Sequence, residues 1–248
     1  MATVYINQKN GTANVTTHSV SLFELTPSTR YYFVVNSTDA FNNTAQSGEN
    51  SFTTSNDTTS PTLFVYHNPS YLTIGNNVTI IANASDDVRL SSIIIFIDYV
   101  NVKNCSSSPC IYTKSGLMYG NHTYYAVARD TSGNSATDPT IGTKSFYVTD
   151  ITPPAVSVGH APSNPMLGQT VTVTAVASDN IKLSGLMVVV DNTEIATCSS
   201  SPCNYTNSNL SAGIHTYYAF AIDSSGNTAR NPSIGSKSFY VNDTTASM

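Results

Sequence analysis

The sequence predicts an all-β protein built as a series of small β-sandwiches. Two observations carry this. First, one strand–turn–strand segment occurs three times: His122-Thr-Tyr-Tyr-Ala-Val-Ala-Arg-Asp-Thr-Ser-Gly-Asn-Ser-Ala136, its close copy from His215 to Ala229, and a looser copy from Tyr31 to Ala45. Each pairs an alternating apolar run with a turn built on Asp and Asn, which suits a β-hairpin. Second, turn signals recur at regular short spacing and no stretch has helical periodicity.

Composition sets the outer bounds. At 248 residues the chain has room for two or three small domains, each with its own core. Hydrophobic residues make up 40%, an ordinary share, but only 10% are charged, so Ser, Thr, Asn and Tyr must supply the polar surface. A net charge of -5 excludes the basic footprint of a nucleic-acid binder. No apolar run has the length of a membrane span, and Met1-Ala-Thr-Val-Tyr5 lacks the basic-then-apolar layout of a signal peptide.

From Asp57 onward the repeat is gapless. Asp57 matches Asp150, Pro61 matches Pro154, Gly75 matches Gly168 and Cys105 matches Cys198, always 93 residues apart. Cys110 and Cys203, Gly133 and Gly226, and Ser145-Phe-Tyr-Val148 and Ser238-Phe-Tyr-Val241 continue the match. The domains expected are therefore 1–55, 57–148 and 150–241. Residues 242–248 open a further linker or repeat, because Asp243-Thr-Thr-Ala echoes Asp57-Thr-Thr-Ser. The chain reads as a slice of a longer array.

Within a repeat, Val78, Ile80, Ala82 and Ala84 fall on one face of a strand, as do Val171, Val173, Ala175 and Ala177. Thr79, Ile81 and Asn83 take the opposite, wetter face. Ile93-Ile-Ile-Phe-Ile97 and Leu186-Met-Val-Val-Val190 are continuous apolar runs suited to central strands, and Asp98 and Asp191 end them at hairpin turns. Tyr124 and Tyr217 should point inward, leaving Tyr99, Tyr119, Tyr125 and Tyr218 for the surface.

The first 55 residues differ. Leu25-Thr-Pro-Ser-Thr-Arg-Tyr31, Asp39-Ala-Phe-Asn-Asn-Thr-Ala45 and Ser51-Phe-Thr-Thr54 resemble the back half of a fibronectin type III domain, starting from a strand near Ala2–Ile6. The resemblance makes Tyr31 the tyrosine-corner residue. Alternation then sends Tyr31, Phe33 and Val35 inward and Asn36 outward. Residues 57–241 resemble the bacterial and archaeal Ig-like domains of large surface proteins. The motifs are the Asp-X-Thr-X-Pro joint, Ala-Ser-Asp followed by Asp or Asn, and the Asp-X-Ser-Gly-Asn hairpin. The fold class expected is all-β, with tandem Ig-like, fibronectin-type-III-like sandwiches.

Cys105-Ser-Ser-Ser-Pro-Cys110 and Cys198-Ser-Ser-Ser-Pro-Cys203 each lie between two expected strands. A local disulfide in each repeat is the expectation, favouring an oxidising compartment. Structural zinc is the rival by count, since His67 and His122, or His160 and His215, accompany each pair. The histidines lie too far away in sequence for a zinc signature, so the disulfide is preferred.

The Ig-like resemblance implies that the entry to the first strand, the loop after the second and the loop before the last share one pole. That pole would gather Asp57, Asp86, Asp87 and Asp130 in one repeat, and Asp150, Asp179, Asn180 and Asp223 in the other. Converging oxygen ligands suit calcium; aspartates in such turns also accept backbone N–H bonds with no metal. Both readings stand at this level, and no other cofactor is expected.

Asn-X-Ser/Thr triplets are frequent. Asn36, Asn77, Asn83, Asn121 and Asn204 are the glycosylation candidates, among other acceptors that include Asn10 and Asn14. Neither a phosphate-cradling Gly loop nor a His-Glu-X-X-His or Gly-X-Ser-X-Gly motif is present, so catalysis is not expected. The role expected is a stalk or adhesive spacer, extracellular or at the cell surface. Its partners would be neighbouring repeats of the chain and an extracellular protein or glycan, and calcium stiffening the array is one variant. The rival is a carbohydrate-binding accessory module of a secreted enzyme, which would stack sugars on exposed tyrosines; the chain has 15 Tyr but no Trp.

Overall fold

The computed structural model describes residues 2–3, 20–39 and 41–244, and of Ala2–Thr3 the backbone only. Among the described residues every regular element is a strand. Residue contacts divide the chain into two compact units. One comprises Met1–Pro69, Val78–Thr113 and His122–Phe146, and the other Ser70–Asn77, Lys114–Asn121 and Tyr147–Met248.

The first unit opens with β1 (Ala2–Thr3), β2 (Arg30–Phe33), β3 (Asn36–Thr38), β4 (Thr44–Gln46) and β5 (Asn50–Thr53). β2 lies between β1, parallel to it, and β5, antiparallel. β3 and β4 form a separate hairpin. Tyr31 is buried and its phenol oxygen accepts from Thr26 N at 2.8 Å, so it closes the corner as the resemblance implies. The inward course expected for Phe33 and Val35 is not followed: they are 38% and 55% exposed. A three-stranded sheet and a two-stranded hairpin are too few described strands to enclose β2 on both sides. Phe33 instead leans on Phe52, ring centroids 6.2 Å apart. Asn36 faces solvent. The remainder of the expected Ala2–Ile6 strand, and Asn10 and Asn14, lie outside the described residues.

The strands that follow are β6 (Thr62–Asn68), β7 (Leu72–Thr73), β8 (Val78–Ser85), β9 (Leu90–Ile97), β10 (Val100–Cys105), β11 (Cys110–Lys114), β12 (Gly120–Asp130), β13 (Ser135–Asp138) and β14 (Lys144–Thr149). β8 sits between β6 and β11 in a three-stranded sheet. β9 sits between β10 and β12 in the second sheet, where β13 pairs with the C-terminal half of β12. Val78, Ile80 and Ala82 are fully buried while Asn83 is exposed, so the alternation of β8 follows its apolar order. The apolar run Ile93–Ile97 is the central strand it promised to be, with Ile93, Ile95 and Ile97 buried. β6 is an edge strand, and its middle is blocked. Val65 N donates to Asp138 Oδ2 at 2.6 Å, and Lys144 Nζ donates to Val65 O at 2.6 Å. Filling the free backbone groups of an edge discourages pairing with another chain.

In the second unit β14 runs parallel to β7. The strands after it are β15 (Ala155–Ala161), β16 (Val171–Ser178), β17 (Leu183–Val190), β18 (Thr193–Cys198), β19 (Cys203–Asn207), β20 (Gly213–Asp223), β21 (Thr228–Asn231) and β22 (Lys237–Val241). β16 lies between β15 and β19, and β17 between β18 and β20. The 11 residues of β20 pair with β22 along the first half and β21 along the second. Val173, Ala175, Leu186, Val188, Tyr217 and Phe239 are part of one core drawn from both sheets.

Two local devices recur. Asp98 and Tyr99, and Asp191 and Asn192, take positive φ of 48°, 64°, 50° and 62°, the paired left-handed conformation of a tight hairpin turn. A disulfide joins Cys105, the last residue of β10, to Cys110, the first of β11, and another joins Cys198 of β18 to Cys203 of β19. Each bridge staples an edge strand of one sheet to an edge strand of the other.

Candidate functional site

The aspartates of each repeat meet. One carboxylate oxygen from each of Asp57, Asp86 and Asp130 lies within 4.8 Å of the other two, and Asp150, Asp179 and Asp223 form the same trio. Asp57 precedes the joint to β6, Asp86 follows β8 and Asp130 ends β12. The turn chemistry of each is local. Asp57 Oδ1 accepts from Thr59 N at 2.9 Å, and Asp86 Oδ2 accepts from Val88 N and Arg89 N at 3.0 and 2.8 Å. Asp130 Oδ1 accepts from Ser132 N and Asn134 N, both at 2.8 Å, and its Oδ2 from Asn134 Nδ2 at 2.7 Å. Positive φ at Gly133, 96°, lets this turn close.

The second repeat reproduces the pattern. Thr152 N caps Asp150, Ile181 N and Lys182 N cap Asp179, and Ser225 and Asn227 cap Asp223. Burial alone would raise the carboxyls of Asp130 and Asp223. The side-chain bonds from Asn134 and Asn227, with the backbone bonds of each turn, outweigh it and hold both below the usual carboxylate value.

The turn bonds leave something over. Asp57 Oδ2, Asp86 Oδ1, Asp150 Oδ2 and Asp179 Oδ1 are buried and accept no hydrogen bond. Asp57 is only 8% exposed and Asp150 1%. A buried acceptor with no donor is costly, and more so when charged. Asp87 stands apart from the trio and is exposed. Asn180, at the matching place, donates to Asp150 Oδ1 at 3.3 Å. Sequence reading missed Asn134 and Asn227, each of which also donates to the backbone carbonyl of the joint aspartate; their place in the repeated Ser-Gly-Asn turn was the available signal.

The histidines do other work. His67 and His160 bond the phenols of Tyr124 and Tyr217 at 2.9 Å, and His122 and His215 bond Asp98 and Asp191 at 2.7 and 2.6 Å. With both cysteines of each repeat in a disulfide, a Cys₂His₂ zinc set is not available. His215 also reaches Ser211 O at 2.9 Å. Burial opposes its charge, but Asp191 and Ser211 O outweigh that and raise its pKa, whereas burial lowers that of His67. Sequence reasoning identifies Asp98 and Asp191 only as turn residues. The equal spacing of Asp98 to His122 and of Asp191 to His215 is the signal in the sequence for these pairs.

Of the tyrosines expected at the surface, Tyr125 stacks on Phe96 opposite it, centroids 4.5 Å apart, and Tyr218 lies under Arg230 at 3.8 Å. Tyr119 meets Tyr147 edge-on, and Tyr99 is 72% exposed. A further exposed aromatic pair is Phe64 and Tyr66 on β6, stacked at 5.7 Å. Asn36, Asn77, Asn83, Asn121 and Asn204 are all exposed, and Asn83 is the cross-strand partner of Phe64.

Residues 154–219 match the bacterial Ig domain family. No curated protein matches the chain significantly. Among solved structures, fibronectin(III)-like modules of Clostridium thermocellum CbhA are 19% identical, covering 73% of this chain and 95% of theirs, with a TM-score of 0.34. The Yersinia pseudotuberculosis adhesin InvE is 11% identical over 73% of this chain and 58% of its own, TM-score 0.37. A titin segment, A168169, is 12% identical over 75% and 100%, TM-score 0.40. At these values nothing about this chain's function follows from the neighbours. The fold is all-β and Ig-like, and families of this kind are generally non-catalytic.

Proposed function

We propose that this chain is a non-catalytic spacer of an extracellular or cell-surface protein. Duplication is the observation that carries this reading. The aspartate turns, the inter-sheet disulfide and the histidine–aspartate bond recur 93 residues apart, so the chain repeats its means of holding a sandwich together. Disulfides belong to oxidising compartments, which supports a place outside the cell. Among the described residues no helix is long and apolar enough to cross a membrane.

A carbohydrate-binding surface is the second reading, favoured by Phe64 and Tyr66. The pair is 58% and 38% exposed, and Ser157 and Gly159 replace it in the second repeat. Lys144 stands 4.6 Å over the Phe64 ring and competes for that face. Affinity electrophoresis of the full chain through polysaccharide gels separates the two readings. A spacer migrates unretarded. Retardation that disappears in Tyr66→Ala would replace the spacer reading with the sugar-binding one.

A further inference from the structure

We propose that each repeat binds one calcium ion, held by Asp57, Asp86 and Asp130 in the first and by Asp150, Asp179 and Asp223 in the second. Three carboxylates within 4.8 Å of one another do not make a site by themselves. The second observation is that carboxylate oxygens remain unpaired where no water reaches them. Asp57 and Asp150 are more than nine-tenths buried, and each has an Oδ2 without a partner. Asp86 Oδ1 and Asp179 Oδ1 are in the same condition.

The division of labour within each carboxylate is consistent. One oxygen of Asp57 and Asp86 holds its own turn, which fixes the side chain, and the other is left over for a ligand. The same holds for Asp150 and Asp179. Asp130 and Asp223 spend both lone pairs of Oδ1 on turn amides, but Oδ2 accepts only the asparagine side chain and keeps one lone pair for a ligand. A hard divalent cation satisfies the leftover acceptors at once and offsets two of the three negative charges.

The donor set selects the metal. It is oxygen only, with neither His nor Cys in either trio, which disfavours zinc and other transition ions. Three carboxylates from three separate turns offer an irregular shell open to carbonyls and water, which calcium accepts and magnesium, with its strict octahedron, does not. A bound ion would tie the joint residue, Asp57 or Asp150, to two loops of its own sandwich. This goes beyond the spacer reading and does not depend on it.

The test is calorimetric titration of the chelator-stripped full chain with calcium, and with magnesium in parallel. We expect two calcium ions per chain, with dissociation constants of about 10⁻⁴–10⁻³ M, the range of extracellular modules. Asp150→Asn should halve the stoichiometry, and Asp57→Asn added to it should abolish binding. If Asp150→Asn does not fold by circular dichroism, Asp179→Asn, which keeps an oxygen for its turn amides, serves in its place. No calcium binding to the stripped wild type, two ions still bound by the folded variant, or magnesium bound as tightly would each overturn the proposal.

Discussion

Asn134 donates through Nδ2 to the backbone carbonyl of Asp57 at 3.2 Å, and Asn227 does the same to Asp150 at 3.1 Å. These bonds cross 77 residues and connect the joint before a repeat to the last hairpin of its sandwich. The same amide nitrogens bond Asp130 and Asp223. One side chain therefore holds the joint and its aspartate turn together.

Asn227→Ala removes both side-chain bonds and leaves the Asp150 carbonyl and Asp223 Oδ2 short of a donor. The expected loss is about 1–3 kcal/mol. Calorimetric melting should show the midpoint falling, with circular dichroism unchanged below the transition. A midpoint equal to wild type would mean that water replaces the amide at no cost.

The His215–Asp191 bond makes a pH prediction. The folded pKa of His215 lies above its ordinary value of 6.5, so folding favours the charged ring. Its contribution is complete below 6.5 and is lost as pH rises through the raised folded value. Asp191→Asn removes the cause, so the stability gap between wild type and variant should be wider at about pH 5.5 than at about pH 8.5. Denaturant titrations at both values decide this. A gap independent of pH would assign the bond to a neutral ring.

The inter-sheet staple closes a very small ring. Replacing Cys198 and Cys203 together by Ala should cost about 2 kcal/mol, because a short loop restricts the unfolded chain only modestly. Thiol titration of denatured, unreduced wild type should find no free cysteine. Four reactive thiols per chain would instead mean that neither bridge forms.

Much of the fold was legible because it is written at short range. Alternation of side chains along β8 and β16 is a period-two property, and Val78, Ile80, Val171 and Val173 are buried as their order implies. The tyrosine corner was equally readable, since Tyr31 and Thr26 are five residues apart. The same reasoning failed two and four residues further on. Phe33 and Val35 alternate correctly, but burial needs a partner layer, and alternation says nothing about whether one is present.

The candidate site divides in the same way. Residue order alone determined that the chain is a tandem of sandwiches, where the turns fall, and that each aspartate would serve as a turn acceptor, because these depend on neighbours within a few positions. The Ig-like resemblance already implied that these aspartates share a pole; only the tertiary structure decided that three of their oxygens come within 4.8 Å, that Asp87 stays outside, and which oxygens are left unpaired. Those outcomes depend on loops distant in sequence closing over one another and excluding water, and on how many N–H donors remain once each turn has used its own.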